Sequence, residues 1–357
     1  MKRMPDTRKG LLPWIRQVPE DFVVEEVALQ QPAGRGEHLY LWLEKRQRNT
    51  ADVAQDLAVL AGCAPRDIGF AGRKDRIAVT RQWFSVPLVE ASEALSWDLE
   101  GVQVLRAVRG ESRLQLGELE ANRFEIRVRG VDTSEQARIS QVAQRLEQRG
   151  VAHRFGEQRF GSGGRNVARG AALLRGERVH GDLRHQRFLV SALQAAIFNE
   201  VLRRRPWPFD ALTVGDLGIV HRSGRLFVVE EEEQGSARLV GFQVSPTGPL
   251  WGPKMRYPTG EVAVLEEEVL KDFGLPGARE AVLPKRLRLF GERRPLRLPV
   301  SSMKLRFEEE SLQLTFQLPP GGYATVVLEE FFPEGFAEGE EQKPAESPLP
   351  AGPAPVT

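Results

Sequence analysis

Cysteine is almost absent from this chain of 357 residues, Cys63 being the only one. That excludes an intrachain disulfide and any zinc cluster built on several thiolates, and it suits a reducing compartment. Histidine is scarce as well, with five residues at 38, 153, 180, 185 and 221 and no pair at ligand spacing. A metal centre built on His or Cys is therefore not expected. No apolar run approaches the roughly 18 residues that a membrane-spanning helix needs. The stretch MKRMPDTRKGLLPWIR carries two basic clusters without an apolar core, so no secretory signal and a cytoplasmic location are expected. There is no internal repeat, and neither of the glycine-rich phosphate loops, GxGxxG and GxxxxGKS/T, occurs.

Lysine is also rare: 9 residues against 41 arginines. A net charge of +1 hides an uneven distribution, because residues 334–357 hold five Glu against one Lys. Between Arg123 and Arg187 stand fourteen Arg, no Lys and seven acids. Guanidinium groups concentrated in this way fit phosphate recognition. They equally fit a solvated surface laced with ion pairs.

The patterning predicts an interrupted α+β fold. Phe22 and Val24 alternate with Val23 and Glu25, and Leu39, Leu41 and Leu43 alternate with Tyr40 and Trp42, as strands require. A helix capped by Asn49 follows, with Val53, Ala54, Leu57, Leu60 and Ala61 on its apolar face. Strands are predicted over 78–86 and 122–129. A helix is predicted over 134–149, with Thr133 as its cap, and a long one from about Gln186 to Arg204. The middle of the chain after that helix is rich in Pro and Gly and reads as irregular. Strand patterning resumes near Pro284 and runs to Leu318. A Pro-Pro-Gly-Gly break and a last helix from Tyr323 then precede a disordered acidic tail.

Several stretches could carry chemistry. Asp75 sits in Gly69-Phe70-Ala71-Gly72-Arg73-Lys74-Asp75-Arg76, one carboxylate flanked by three cations. Cations within about 4–6 Å keep a carboxylate ionised, which suits a nucleophilic or electrostatic role; the same pattern also describes an Asp that ties a turn. Asn122 shares a strand face with Phe124, Ile126 and Val128, so an amide could read the edge of a planar heterocycle while a ring stacks on it. It could equally be a turn residue ahead of a strand whose Phe belongs to the core. Gly161–Asn166 and Gly321-Gly322 could present backbone amides to an anion or simply turn the chain. Glu25 and Glu26 could pose as an acid–base pair, but neighbours on a strand face opposite sides.

In this order the segments resemble the TruD-type pseudouridine synthases, which isomerise uridine in tRNA. The matching stretches are PEDFVVEE at 19–26, GEHLYLWLEKRQRNTADVAQDLA at 36–58 and GFAGRKDRIAVTRQWFSV at 69–86. They continue with NRFEIRVRG at 122–130, RFGEQRFGSGGRN at 154–166 and LPPGGYATVVLEE at 318–330. The resemblance implies Asp75 as the catalytic aspartate, Asn122 and Phe124 as contacts to the target base, and Phe22 and Tyr323 as further substrate-contacting aromatics. Lys74, Arg73 and Arg76 are supporting cations. It implies a mixed, largely antiparallel sheet with flanking helices over 1–155 and 285–333. An inserted α+β domain would span 156–284, and the tail 334–357. The implied partner is tRNA, modified at position 13, with no cofactor, metal, membrane or protein partner, so a monomer is expected. Two other readings stay open: a non-catalytic RNA-binding protein, and a hydrolase pairing Asp75 with Glu25 or Glu26.

Overall fold

The computed structural model describes residues 12–87, 89–275, 285–287 and 289–339. Its strands are β1 (Trp14–Ile15), β2 (Phe22–Ala28), β3 (His38–Arg46), β4 (Gly69–Phe70), β5 (Val79–Pro87), β6 (Val102–Gly110), β7 (Leu119–Arg129) and β8 (Val151–Ala152). They continue with β9 (Leu217–Val220), β10 (Arg225–Val228), β11 (Val244–Leu250), β12 (Glu292–Pro295), β13 (Arg297–Leu298), β14 (Ser301–Glu308), β15 (Ser311–Leu318) and β16 (Ala337–Glu338). The helices are α1 (Thr50–Leu60), α2 (Ala91–Ala94), α3 (Gln136–Arg149), α4 (Arg165–Leu174), α5 (Leu183–Arg204), α6 (Ala237–Val240), α7 (Gly260–Asp272) and α8 (Ala324–Phe331). Among the described residues no helix is long and apolar enough to cross a membrane.

The main sheet runs in the order β14-β15-β7-β2-β5-β3-β6, with β1, β16 and β4 at its margins. Along that path only β2 and β5 are parallel. Two apolar clusters cover it. In one, Phe22, Val24, Phe124, Ile126, Val128, Leu314 and Phe316 meet the stripes of α3 and α8. In the other, Leu39, Leu41, Leu43 and Phe84 meet Val53, Ala54 and Leu57 of α1. Period-2 and period-3.6 patterns thus bury on each other, as the alternation in the sequence requires. The helix starts differ in detail from expectation. Asn49 makes no capping bond and its amide instead donates to Asp52, while Asp132 rather than Thr133 accepts at the turn leading into α3.

The middle region is not irregular. It folds α4 and α5 against a second sheet in the order β10-β9-β11-β12, with α7 packed on α5. The sequence Val244-Ser245-Pro246-Thr247-Gly248-Pro249-Leu250 forms β11 despite two prolines. It pairs with β9 through Val244–Pro246 and with β12 through Thr247–Leu250, so each proline has a ladder on one side only. Burial holds this unit together: α5 buries its own Leu189, Val190, Leu193, Ala195, Ile197, Phe198 and Val201. Strand β12 lies beyond the expected limit at 284, so the second sheet draws on chain from both sides of it; residues 285–287 form a short turn rather than a strand.

The tail also differs from expectation. Residues 337–338, placed by composition in a disordered stretch starting at 334, form β16 and pair in parallel with β1. Residues 1–11 and 340–357, the ends of the chain, lie outside the described residues.

His153 sits where the two sheets adjoin, its backbone N–H on the Leu296 carbonyl at 2.8 Å and its ring Nδ1 on the Pro295 carbonyl at 3.1 Å. Burial, reinforced by Arg294, draws its pKa down to about 3. A His held neutral in the fold favours the native state above the unfolded value near 6.5, and that contribution is lost as pH falls towards 3. Urea titrations should therefore show stability falling by on the order of 2–3 kcal/mol more between pH 7 and 4.5 for the natural chain than for His153→Asn. Parallel pH profiles for the two would remove His153 as the cause.

Candidate active site

A cavity of about 820 Å³ opens between the edge of the main sheet, the inserted unit and the start of α8. All eight residues that the resemblance singles out line it: Phe22, Arg73, Lys74, Asp75, Arg76, Asn122, Phe124 and Tyr323. Register explains the convergence. Phe124 on β7 faces Val24 on β2 and Phe316 on β15, and Asn122 faces Glu26 and Leu318. The β4–β5 loop delivers Asp75, and the turn after β15 delivers Tyr323. That turn requires glycine: Gly321 has φ +84°, and a Cβ on Gly322 would come within 2.9 Å of Leu318.

Asp75 is 61% exposed, and its Oδ2 accepts from Arg16 Nη2 at 3.3 Å. Arg16 was not singled out by the sequence. It lies 59 residues from Asp75, and only pairing of β1 with β7 and β16 brings it to the cleft. Its guanidinium also stacks 4.1 Å above the Phe22 ring and binds Glu338 at 3.1 Å. The neighbouring cations do something else. Lys74 turns inward, where Nζ donates to Glu26 Oε2 at 3.0 Å, both side chains being almost fully buried. Its expected place beside the Asp75 carboxylate is thus taken by Arg16, because alternation along the loop sends Arg73 and Asp75 out and Lys74 in. Arg73 and Arg76 are exposed on the cleft wall.

The loop is pinned from beneath. Lys74 N–H donates to Thr50 Oγ1 at 3.0 Å, the Gln82 amide to the Gly72 carbonyl at 3.0 Å, and Lys45 Nζ to the Asp75 carbonyl at 2.8 Å. Burial pushes Glu26 up and Lys74 down, and their attraction offsets this only in part. Lys45, with no carboxylate bonded to it, is drawn down by burial to about 8. The carboxylate pair expected for a hydrolase is not assembled, since neither Glu25 nor Glu26 lines the cavity; Glu25 binds Arg81 instead.

The aromatic residues divide in two. Phe22 and Phe124 are 1% and 6% exposed and belong to the core. Phe124 stacks on Phe316 at 5.3 Å and meets Phe22 edge to face at 6.3 Å, so one of its faces is covered within the core. Tyr323 is 43% exposed and lines the cavity. Asn122 Oδ1 is buried without a hydrogen-bond partner, an acceptor facing a polar task. Of the fourteen arginines from 123 to 187, seven have a carboxylate within 4.0 Å among the described residues, including Arg129 on Asp21 and Arg149 on Asp210, as the reading of a surface laced with ion pairs expects.

The family model for tRNA pseudouridine synthase D (TruD) matches residues 6–181 and 178–331. The chain belongs to the TruD family. It is 39% identical to tRNA pseudouridine synthase D of Thermus thermophilus, over 93% of this chain and 92% of that one. It is 35% identical to the Geobacter metallireducens protein of the same name, over 90% and 95%. A Methanosarcina mazei protein solved by crystallography as a candidate TruD shares the fold, with a TM-score of 0.72 at 24% identity, over 91% of this chain and 94% of that one. The α+β fold with a mixed, largely antiparallel sheet is therefore the TruD fold.

Three substitutions probe this arrangement. Lys74→Met strands a buried carboxylate and should cost about 3–5 kcal/mol, most of it recovered when Glu26→Leu is added. Unfolding curves of the single and double variants measure this. Unchanged stability with activity lost would instead mean that the Lys74 charge serves the cleft directly. Phe124→Ala should cost about 3–5 kcal/mol, as for a core Phe. An unaltered melting temperature would show that its ring carries no core load.

Proposed function

We propose that this chain isomerises uridine to pseudouridine in tRNA, at position 13, with Asp75 as the acting carboxylate. The observation that carries this assignment is the exposed Asp75 carboxylate, braced by Arg16, in one cavity with the unpaired acceptor of Asn122 and the open ring of Tyr323. The target base must leave its stack to reach that cavity, at a cost of a few kcal/mol. Asn122 Oδ1 then accepts from an N–H on the uracil edge, Tyr323 covers the ring, and Phe22 and Phe124 form an apolar floor. Arg16 fixes the direction of the Asp75 carboxylate through its bond at 3.3 Å.

The reaction balances without a co-reactant. The N1–C1′ bond breaks, the uracil turns, and C5–C1′ forms; C5 loses one proton and N1 gains one. Asp75 acts either by adding to the base or by assisting departure from C1′, and both uses need the same exposed carboxylate oxygen. The chain acts as a monomer in the cytoplasm, and its partner is the tRNA alone.

Asp75→Asn changes charge at nearly constant size, so the variant should fold, bind tRNA and make no pseudouridine. Arg16→Met should lower the rate about a hundredfold with the fold intact, the usual consequence of a misplaced reacting group. Single-turnover pseudouridine assays on an unmodified tRNA transcript, with melting curves alongside, measure both. A near-normal rate for Asp75→Asn would end the assignment.

A further inference from the structure

The inserted unit contributes its own wall to the cleft, and the chemistry described above leaves that wall unused. We propose that it holds a nucleotide adjacent to the target uridine, the base on Phe188 and the phosphate at Arg159. The inference rests on the reading of the cavity as a uridine site, and deepens it. Phe188 lies near the start of α5, lines the cavity and is 41% exposed, on a helix whose other large apolar residues are mostly buried. Arg159 lines the same cavity from the short turn Glu157–Phe160. Ser191 joins the two: its hydroxyl accepts from Arg159 Nη2 at 3.0 Å and donates to the Phe188 carbonyl at 2.8 Å. One turn of helix thus fixes a guanidinium beside an open ring.

The charge there is only partly offset, Glu292 acting on Arg294 from beyond ion-pair distance. Arg159 lies 5.1 Å and Arg294 4.0 Å from the centre of the Phe155 ring. Neither has a carboxylate within 4.0 Å among the described residues. Nε of each, and Nη2 of Arg294, are buried without a hydrogen-bond partner. Burial draws Arg294 down to about 10, with Arg159 adding to it. Two cations on one ring favour an anion, and an exposed aromatic ring next to them completes the pairing of stacking surface and positive groove by which single-stranded RNA is held. A cavity of about 820 Å³ also exceeds the needs of one nucleobase.

The test measures affinity for an unmodified tRNA transcript that the natural protein converts. Two derivatives lack the base on the 5′ or the 3′ side of the converted uridine. Phe188→Ala should weaken binding of the intact transcript about tenfold to a hundredfold, and Phe188→Trp should retain most of the affinity. On one of the two abasic RNAs the natural protein and Phe188→Ala should bind alike, since base and ring then act as one coupled pair. Arg159→Gln should lower the slope of log affinity against log salt by about 0.7, the loss of one phosphate contact on a single strand. Undiminished binding by Phe188→Ala overturns the proposal. So does an equal loss on intact and both abasic RNAs, or a salt slope unchanged by Arg159→Gln. Binding by Asp75→Asn separates the two claims: activity in that variant would end the catalytic assignment while the Phe188 comparison, read from affinity, still stands or falls by itself.

Discussion

Beneath the loop that follows Phe70, one buried contact fixes most of what the cleft displays: Lys74 Nζ on Glu26 Oε2 at 3.0 Å. Two charges removed from water lose more by desolvation than their attraction returns unless geometry and further hydrogen bonds are good. Here Glu26 Oε1 also accepts from Trp83 N–H at 3.3 Å, and the Lys74 backbone is held by Thr50. A displaced loop would leave both charges buried and unpaired. That penalty selects one loop conformation, in which Asp75, the next residue, must face solvent.

The rest of the site is assembled around that carboxylate from distant parts of the chain. Strand β1 near the N-terminal side and β16 near the C-terminal side pair with each other, and their ion pair, Arg16 with Glu338, stands at the rim. Arg16 is thereby shared between two carboxylates, Asp75 and Glu338. The stretch that composition assigns to a tail is structural as far as residue 339 because backbone pairing with β1 and this ion pair outweigh its low hydrophobicity. Its acidic character serves Arg16.

Arginine does different work in the inserted unit. Arg293 binds Glu266 through two bonds of 2.7 and 2.8 Å, and Arg205 binds Asp216 at 2.6 and 2.8 Å, all nearly buried. Arg297 is buried too, donating to the Leu239 and Val244 carbonyls while stacking 4.4 Å from the Phe242 ring. The planar, five-donor guanidinium makes such sites possible where lysine would leave acceptors unfilled. Arginine abundance is therefore partly architectural, and Arg159 and Arg294 differ from Arg205 and Arg293 in having no carboxylate within 4.0 Å among the described residues.

The sequence by itself determined the alternating strands of the main sheet, the stripes of α1, α3, α5 and α8, and the short motifs around Asp75, Asn122 and Tyr323. These are local: side-chain period and glycine placement act within a few residues, so they can be read from the order of letters. It did not determine the second sheet, where Pro246 and Pro249 contradict strand propensity and only one-sided pairing makes β11 tolerable. Nor did it reveal which cation meets Asp75. Lys74 is adjacent in sequence yet points into the core, while Arg16 reaches the carboxylate across 59 positions through strand pairing. Phe124 reads in the motif as a base-stacking residue, and register places Phe316 against its ring, so it belongs to the core as well as to the cavity wall. Tertiary structure decided these points, since adjacency in the chain says which groups are near in number, and only the packed sheet says which of them share a side of it.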